Sequence, residues 1–177
     1  AVAIARCFQE AGLPNGVLNL VFGVPDKVSQ KILGSSIPKK MSFTGSIPVG
    51  KHLQKLAAET MKRCTMELGG HAPVIVFEDA DVENALNVCA AFKFRNAGQV
   101  CISPTRFFVQ DKGYKSFLEG YTERANARKV GNGMEDGVQM GPLVDARRLP
   151  VMEDFVSDAQ NHGANVVTGG ERIGNQG

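Results

Sequence analysis

Short apolar runs alternate along this chain with longer stretches of helical periodicity, and that order constrains the fold more than any other feature of the sequence. A strand is read at Val17–Val21, a short helix from Asp26 to Leu33 behind Gly23-Val24-Pro25, and a second strand at Lys40–Phe43. A helix from Val49 to Lys62 follows, then strands at Cys64–Leu68 and Val74–Phe77, the latter apolar throughout as in a strand buried inside a parallel sheet. Asp79 or Asp81 caps a helix to about Arg95, with Val82, Ala85, Leu86 and Cys89 on one face. Arg106–Val109 reads as a strand, and the next helix carries Phe117, Leu118, Tyr121 and Ala125. A glycine-rich loop from Gly131 to Gly141 leads to a last helix over Arg147–Asn161, and Val166-Val167 reads as a terminal apolar strand. Strands joined by crossover helices make this an α/β fold.

Composition excludes several classes. Of 177 residues 43% are hydrophobic, and 20 basic against 18 acidic side chains leave a net charge of +2, as in an ordinary soluble globular protein. Nucleic acid is not an expected partner, because the basic residues are dispersed rather than arrayed in a stripe. No apolar run approaches the roughly 20 residues of a membrane helix, so no membrane is expected. The four cysteines, Cys7, Cys64, Cys89 and Cys101, have neither CxxC spacing nor histidine neighbours, so no disulfide framework and no metal site are expected. That usage fits a reducing cytoplasm. Cys7, Cys64 and Cys89 lie in apolar patterns and read as small buried hydrophobes.

Both ends read as cuts. Ala1–Ala11 is already helical in pattern with no initiator methionine or cap, and the other end stops just beyond Val166-Val167. The expectation is a piece of something longer.

Two residues point to chemistry. Cys101, in Gly98-Gln99-Val100-Cys101, is suited to covalent attack on a carbonyl once its thiol is activated, and Glu67, in Met66-Glu67-Leu68-Gly69-Gly70, is suited to be a general base. By residue type alone, a buried structural thiol is the alternative reading of Cys101. Its context argues otherwise: Asn96, Gly98 and Gln99 end a helix just before it, leaving the sulfur in a bend beside free backbone N–H groups. The two glycines after Glu67 allow close approach of another backbone. Separately, Phe43-Thr44-Gly45-Ser46-Ile47-Pro48-Val49-Gly50 joins a strand to a helix through glycine and serine, a form that presents N–H groups and a helix dipole to phosphate. A plain helix cap reads as well from that segment alone.

Taken together, FTGSIPVG at 43–50, MELGG at 66–70, GQVC at 98–101 and MGPL at 140–143, in this order, resemble the NAD(P)-dependent aldehyde dehydrogenase superfamily. The resemblance implies Cys101 as nucleophile, forming a thiohemiacetal and then a thioester, and Glu67 as the base that activates the hydrolytic water. It implies NAD or NADP as cofactor, with Gly45, Ser46, Val49 and Gly50 in the phosphate turn. Thr44 would lie near the nicotinamide, the Leu68 carbonyl would hold its carboxamide, and Gly23 would stand beside the adenine. Residues 1–68 would be the C-terminal part of the Rossmann-like cofactor domain and residues 69–177 the N-terminal part of the α/β catalytic domain, with Glu67 and Cys101 facing across the boundary. A small-molecule aldehyde and a homo-oligomeric parent are implied as well.

Lys93-Phe94-Arg95-Asn96-Ala97-Gly98-Gln99 resembles the succinate-semialdehyde dehydrogenase branch, which implies that Arg95 binds a substrate carboxylate through its guanidinium fork. That branch commonly carries a second cysteine two residues after the nucleophile; here Ser103 stands there, so a redox switch at this place is not expected. Ser103-Pro104-Thr105 is closer to relatives acting on α-ketoglutarate semialdehyde, and Arg106 reads as structural. The family's oxyanion asparagine and nicotinamide-ribose segments have no counterpart in this sequence. Losing one oxyanion donor alone costs about 2.7–4 kcal/mol, so the isolated chain is expected to show little activity. A coenzyme-A-acylating relative and an idle structural fragment are the alternatives; Glu67 argues against the first, and selective reactivity of Cys101 would argue against the second.

Overall fold

The computed structural model describes residues 1–174 and divides into two compact units, Ala1–Leu68 and a second beginning at Gly69. The first contains α1 (Val2–Glu10), α2 (Pro25–Gly34), β1 (Lys40–Gly45), α3 (Ile47–Ala58) and β2 (Arg63–Leu68). β1 and β2 pair in parallel, Lys40 opposite Arg63 and running to Gly45 opposite Leu68. One face of this ladder carries Met41, Phe43 and Cys64, which pack against Leu33 of α2 and Leu53, Leu56 and Ala57 of α3. The alternate residues Ser42, Thr44, Thr65 and Glu67 are exposed, the period-two consequence of covering one face.

The α3 helix stops at Ala58 rather than continuing to Lys62. Lys62 N–H donates to the Ala57 carbonyl at 3.0 Å and Met61 N–H to that of Ala58 at 3.1 Å, with Met61 at φ 53°. This is a Schellman ending whose left-handed position holds methionine instead of the usual glycine, so no local signal marks it. Lys62 is buried, its Nζ donating to the Ser35 carbonyl at 2.5 Å, and Thr60 Oγ1 donates to that of Leu33 at 3.1 Å. These two bonds fasten the α3–β2 turn to the end of α2.

Two expected features of this unit are absent. Val17–Val21 forms no strand; it is irregular and exposed, with no ladder partner among the described residues, and an apolar run without a neighbour to pair with does not make a strand. Cys7 is exposed rather than buried, because no residue of α1 is buried. Periodicity names a helix's apolar face but not what covers it.

The second unit contains β3 (Ala72–Val76), α4 (Val82–Phe94), a 3₁₀ turn (Arg95–Gly98), β4 (Pro104–Val109), α5 (Asp111–Asn126) and α6 (Arg148–Asn161). β3 and β4 pair in parallel, with a bulge between Ala72 and Pro73. Val76, Leu86, Cys89 and Phe117 form the core, joined by Val74, Phe107, Val109 and Tyr121. Asp81, not Asp79, caps α4, accepting from the Asn84 N–H at 3.1 Å. Arg124 of α5 ties itself to α4 through Glu83 at 2.6 Å and Asn87 at 3.0 Å.

β3 is not buried on both faces: Val74 and Val76 point to the helices while Ile75 is 63% exposed. Val166-Val167 is not a strand, and Val167 is 47% exposed. Burial pushes the Cys89 thiol up, in keeping with a packing role; Cys64 is half-buried. Among the described residues no helix is long and apolar enough to cross a membrane, and no group of His, Cys, Asp and Glu is arranged to hold a metal.

Candidate active site

At the carboxyl ends of the first unit's strands, Thr44 stands opposite Glu67 and Gly45 opposite Leu68. This is the edge at which open parallel sheets receive ligands. Ser46 then takes the N-cap position of α3 with extended backbone (φ −76°, ψ 152°), and its hydroxyl makes no cap bond. Thr44, Gly45, Ser46 and Val49 are exposed. The first-turn N–H groups of Ile47 and Val49 have no intrahelical acceptor, and Pro48 between them has no N–H to leave unsatisfied. That is a helix terminus suited to an anion.

The glycines here have different duties. A Cβ on Gly45 would run into the Phe43 ring, so glycine keeps the strand end open. Gly50 is buried, and a Cβ there would lie 2.7 Å from Leu68 Cδ2. Gly50 therefore lets the first turn of α3 settle onto the end of β2, positioning the turn rather than offering an exposed contact. Gly23 lies against α2, where a Cβ would come within 2.9 Å of Val28 Cγ2. Gly23 and Val49 both line an apolar cavity of about 890 Å³, together with Phe22, Pro25 and Pro48. Asp26 and His52 also reach it and stand 3.5 Å apart.

In the second unit Cys101 is exposed on a tight turn closed by the Ser103 N–H donating to the Val100 carbonyl at 2.9 Å. A Cβ on Gly70 would lie 3.3 Å from the Cys101 carbonyl oxygen, so the second glycine of MELGG does permit a close backbone approach; Gly69 has open space. Before the turn, Asn96, Ala97 and Gly98 all have positive φ, at 51°, 53° and 74°. Arg95 opens this segment and is exposed. Arg106 donates to the His71 carbonyl at 3.1 Å and holds β4 to the chain entering β3. Ser103 is buried, and its hydroxyl has no hydrogen-bond partner among the described residues.

Lys93 and Gln99 make contacts around this loop that their place in the sequence does not announce. Lys93 lies against Gly98, its Nζ 3.7 Å from where a Cβ would be, and burial lowers its pKa. Gln99 bonds to Val144. Neither tie has a local signal, because each follows from how the backbone turns after α4.

The chain matches the aldehyde dehydrogenase family over residues 1–177. It belongs to that family. Among similar proteins is the 3-sulfolactaldehyde dehydrogenase of Pseudomonas putida, 42% identical over 172 residues covering 97% of this chain and 35% of the relative. The 4-(hydroxymethyl)benzenesulfonate dehydrogenase TsaD1 of Comamonas testosteroni is 46% identical over 165 residues, 93% of this chain and 34% of that protein. A crystal structure of succinate-semialdehyde dehydrogenase from Burkholderia pseudomallei superposes with a TM-score of 0.95 at 41% identity, covering 98% of this chain and 36% of that one. The chain thus spans about a third of the length of the curated relatives it matches. As an aldehyde dehydrogenase family member it carries FTGSIPVG and the Met66–Leu68 part of MELGG at the strand ends of one unit, and Gly69, Gly70 and GQVC in the other.

Proposed function

We propose that the protein carrying this chain oxidises an aldehyde bearing an anionic group, in the first instance an ω-carboxylated semialdehyde, to the acid with NAD or NADP. The observation that carries the reading is the exposed Cys101 thiol on a tight turn, beside backbone that Gly70 leaves room to approach, in a chain of this family. On this reading residues 1–68 belong to the cofactor domain and residues from 69 onward to the catalytic domain.

The residues present fit a dinucleotide. The cavity along Gly23 and Val49 offers an apolar wall to a flat base, and the open N-terminus of α3, kept clear by Gly45 and flanked by the uncommitted Ser46 hydroxyl, suits a pyrophosphate. Gly50 acts there by seating the turn on Leu68, whose backbone carbonyl, with Thr44, would serve the nicotinamide end. When bound, the dinucleotide supplies the hydride acceptor.

The chain's own residues supply the rest. The Cys101 sulfur attacks the aldehyde carbon to form a thiohemiacetal, and the Cys101 N–H is available to the oxyanion. Oxidation of that adduct leaves a thioester on Cys101. Glu67 takes a proton from the water that hydrolyses it, which releases the acid and the thiol. Arg95 receives the substrate's anionic group. The names of the relatives support an anionic tail, because they include a succinate-semialdehyde, a 3-sulfolactaldehyde and a benzenesulfonate enzyme. Four free cysteines support a reducing compartment.

Formation of reduced nicotinamide with succinate semialdehyde and with an uncharged aldehyde of similar length tests this. Cys101→Ser is expected to lower turnover by roughly 10³-fold or more, and Glu67→Gln by about 10²–10⁴ in the hydrolytic step. Arg95→Lys is expected to raise KM for the charged substrate and leave the uncharged one unchanged. Full activity in Cys101→Ser would overturn the reading.

A further inference from the structure

The motif Met140-Gly141-Pro142-Leu143 has no part in the chemistry above, and neither has Gln99, yet the two segments meet. The N–H of Val144, the residue directly after the motif, donates to Gln99 Oε1 at 3.0 Å. The other end of the same amide, Nε2, donates to the Asn96 carbonyl at 3.0 Å. Asn96 Nδ2 in turn donates to the Gln99 carbonyl at 3.2 Å, and the Gln99 N–H donates to the Asn96 carbonyl at 3.0 Å. The amide's orientation is fixed by these partners, since an N–H faces its oxygen and a carbonyl faces its nitrogen.

These bonds enclose the left-handed run of Asn96, Ala97 and Gly98. Left-handed backbone costs about 1–2 kcal/mol for a residue such as alanine, so a run of this kind persists only where the surroundings over-determine it. Gln99 provides that constraint from the end nearest Cys101. Ala97 and the 140–143 motif also line one cavity of about 540 Å³, which places the motif near the middle of the run. The direction in which the chain leaves Gly98 sets the direction of the Val100–Ser103 turn, and with it the Cys101 thiol and N–H.

We infer that Gln99 is a positioning residue: it ties the 140–144 segment to the left-handed run and thereby holds the thiol and the backbone N–H of Cys101 in one fixed relation. This rests on the reading of Cys101 as the nucleophile. The role it gives the MGPL motif is to present the Val144 N–H.

Two reagents separate position from mere thiol availability, read cysteine by cysteine by mass spectrometry in the 177-residue chain. With iodoacetamide a carbon–sulfur bond forms as iodide leaves, and only the thiolate matters. With p-nitrophenyl acetate the sulfur takes the acetyl group as p-nitrophenolate leaves, and negative charge builds on the carbonyl oxygen where the Cys101 N–H can meet it. Cys7, exposed in the other unit, is the internal reference, and Cys89, buried, reports folding. Gln99→Leu is expected to lower acylation of Cys101 relative to Cys7 by about tenfold or more and its alkylation by much less. Gln99→Glu keeps an acceptor for Val144 but cannot donate to Asn96, and is expected to fall between. Should Cys89 become reactive in Gln99→Leu, the Gln99→Glu comparison decides. Rapid acylation of Cys101 that neither variant changes would overturn the inference and leave the nucleophile reading intact. Acylation of Cys101 no faster than that of Cys7 in the unaltered chain would overturn both.

Discussion

Ala97 is an L-amino acid held at φ 53° between two neighbours of the same hand. Replacing it by glycine removes the Cβ penalty and adds freedom to the unfolded chain, and the first effect is the larger. Ala97→Gly is expected to raise stability by about 0.5–1 kcal/mol, seen as a higher urea midpoint; a lower midpoint would mean that the methyl group's packing outweighs the strain. Tyr121 is a second case. Burial, with the Cys89 thiol adding to it and Arg128 opposing it, pushes its phenol up to about 12 from 10.0. The folded state therefore favours the neutral phenol, so this contribution is present below pH 10 and is lost as pH rises from 10 to 12. The buried Tyr121 hydroxyl has no hydrogen-bond partner among the described residues. Tyr121→Phe is accordingly expected to leave stability at pH 8 unchanged or improved and to flatten its fall above pH 10, measured by denaturant unfolding across that range. The exposure of Cys101 was legible in the polar and glycine residues before it, whereas the tie from Gln99 to Val144, 45 residues further on, has no trace in local sequence.

At the scale of elements, α5 rests on α4 at Gly120, where a Cβ would lie 2.6 Å from Leu86 Cδ1. Leu86 is 2% exposed and held in the core. Gly120→Ala gains up to about 1 kcal/mol in helix propensity, yet is expected to destabilise by about 1–3 kcal/mol through overpacking. A gain measured by thermal or urea unfolding would show that Leu86 can move aside. The strands with parallel partners, β1 to β4, were legible, as were all the helices, because periodicity and capping residues such as Asp81 are local. Val17–Val21 and Val166-Val167 were misread for one reason: a short apolar run is compatible with a strand, while a strand exists only where another backbone completes its ladder. The early end of α3 escaped detection because Met61 occupies a position where glycine would have announced the turn.

At the scale of the molecule, the chain divides just after Leu68, one residue past Glu67, and Cys101 belongs to the other unit. The proposed chemistry assigns nucleophile and base to different units, and each is placed by its own local device: a parallel ladder that brings Thr44 beside Glu67, and a turn that exposes Cys101. Family and fold class were legible because the motifs fall at strand ends and turns, where side-chain chemistry and backbone form coincide. In the proposed chemistry an acyl group passes through Cys101 and is released by Glu67. The most direct test is the acid-quenched mass of the Glu67→Gln protein after incubation with succinate semialdehyde and NAD or NADP, with the modified peptide sequenced. A succinyl thioester is expected to accumulate on Cys101 and to be absent in Cys101→Ser. Continued formation of reduced nicotinamide with no acyl group on Cys101, or with the group on another residue, would contradict it.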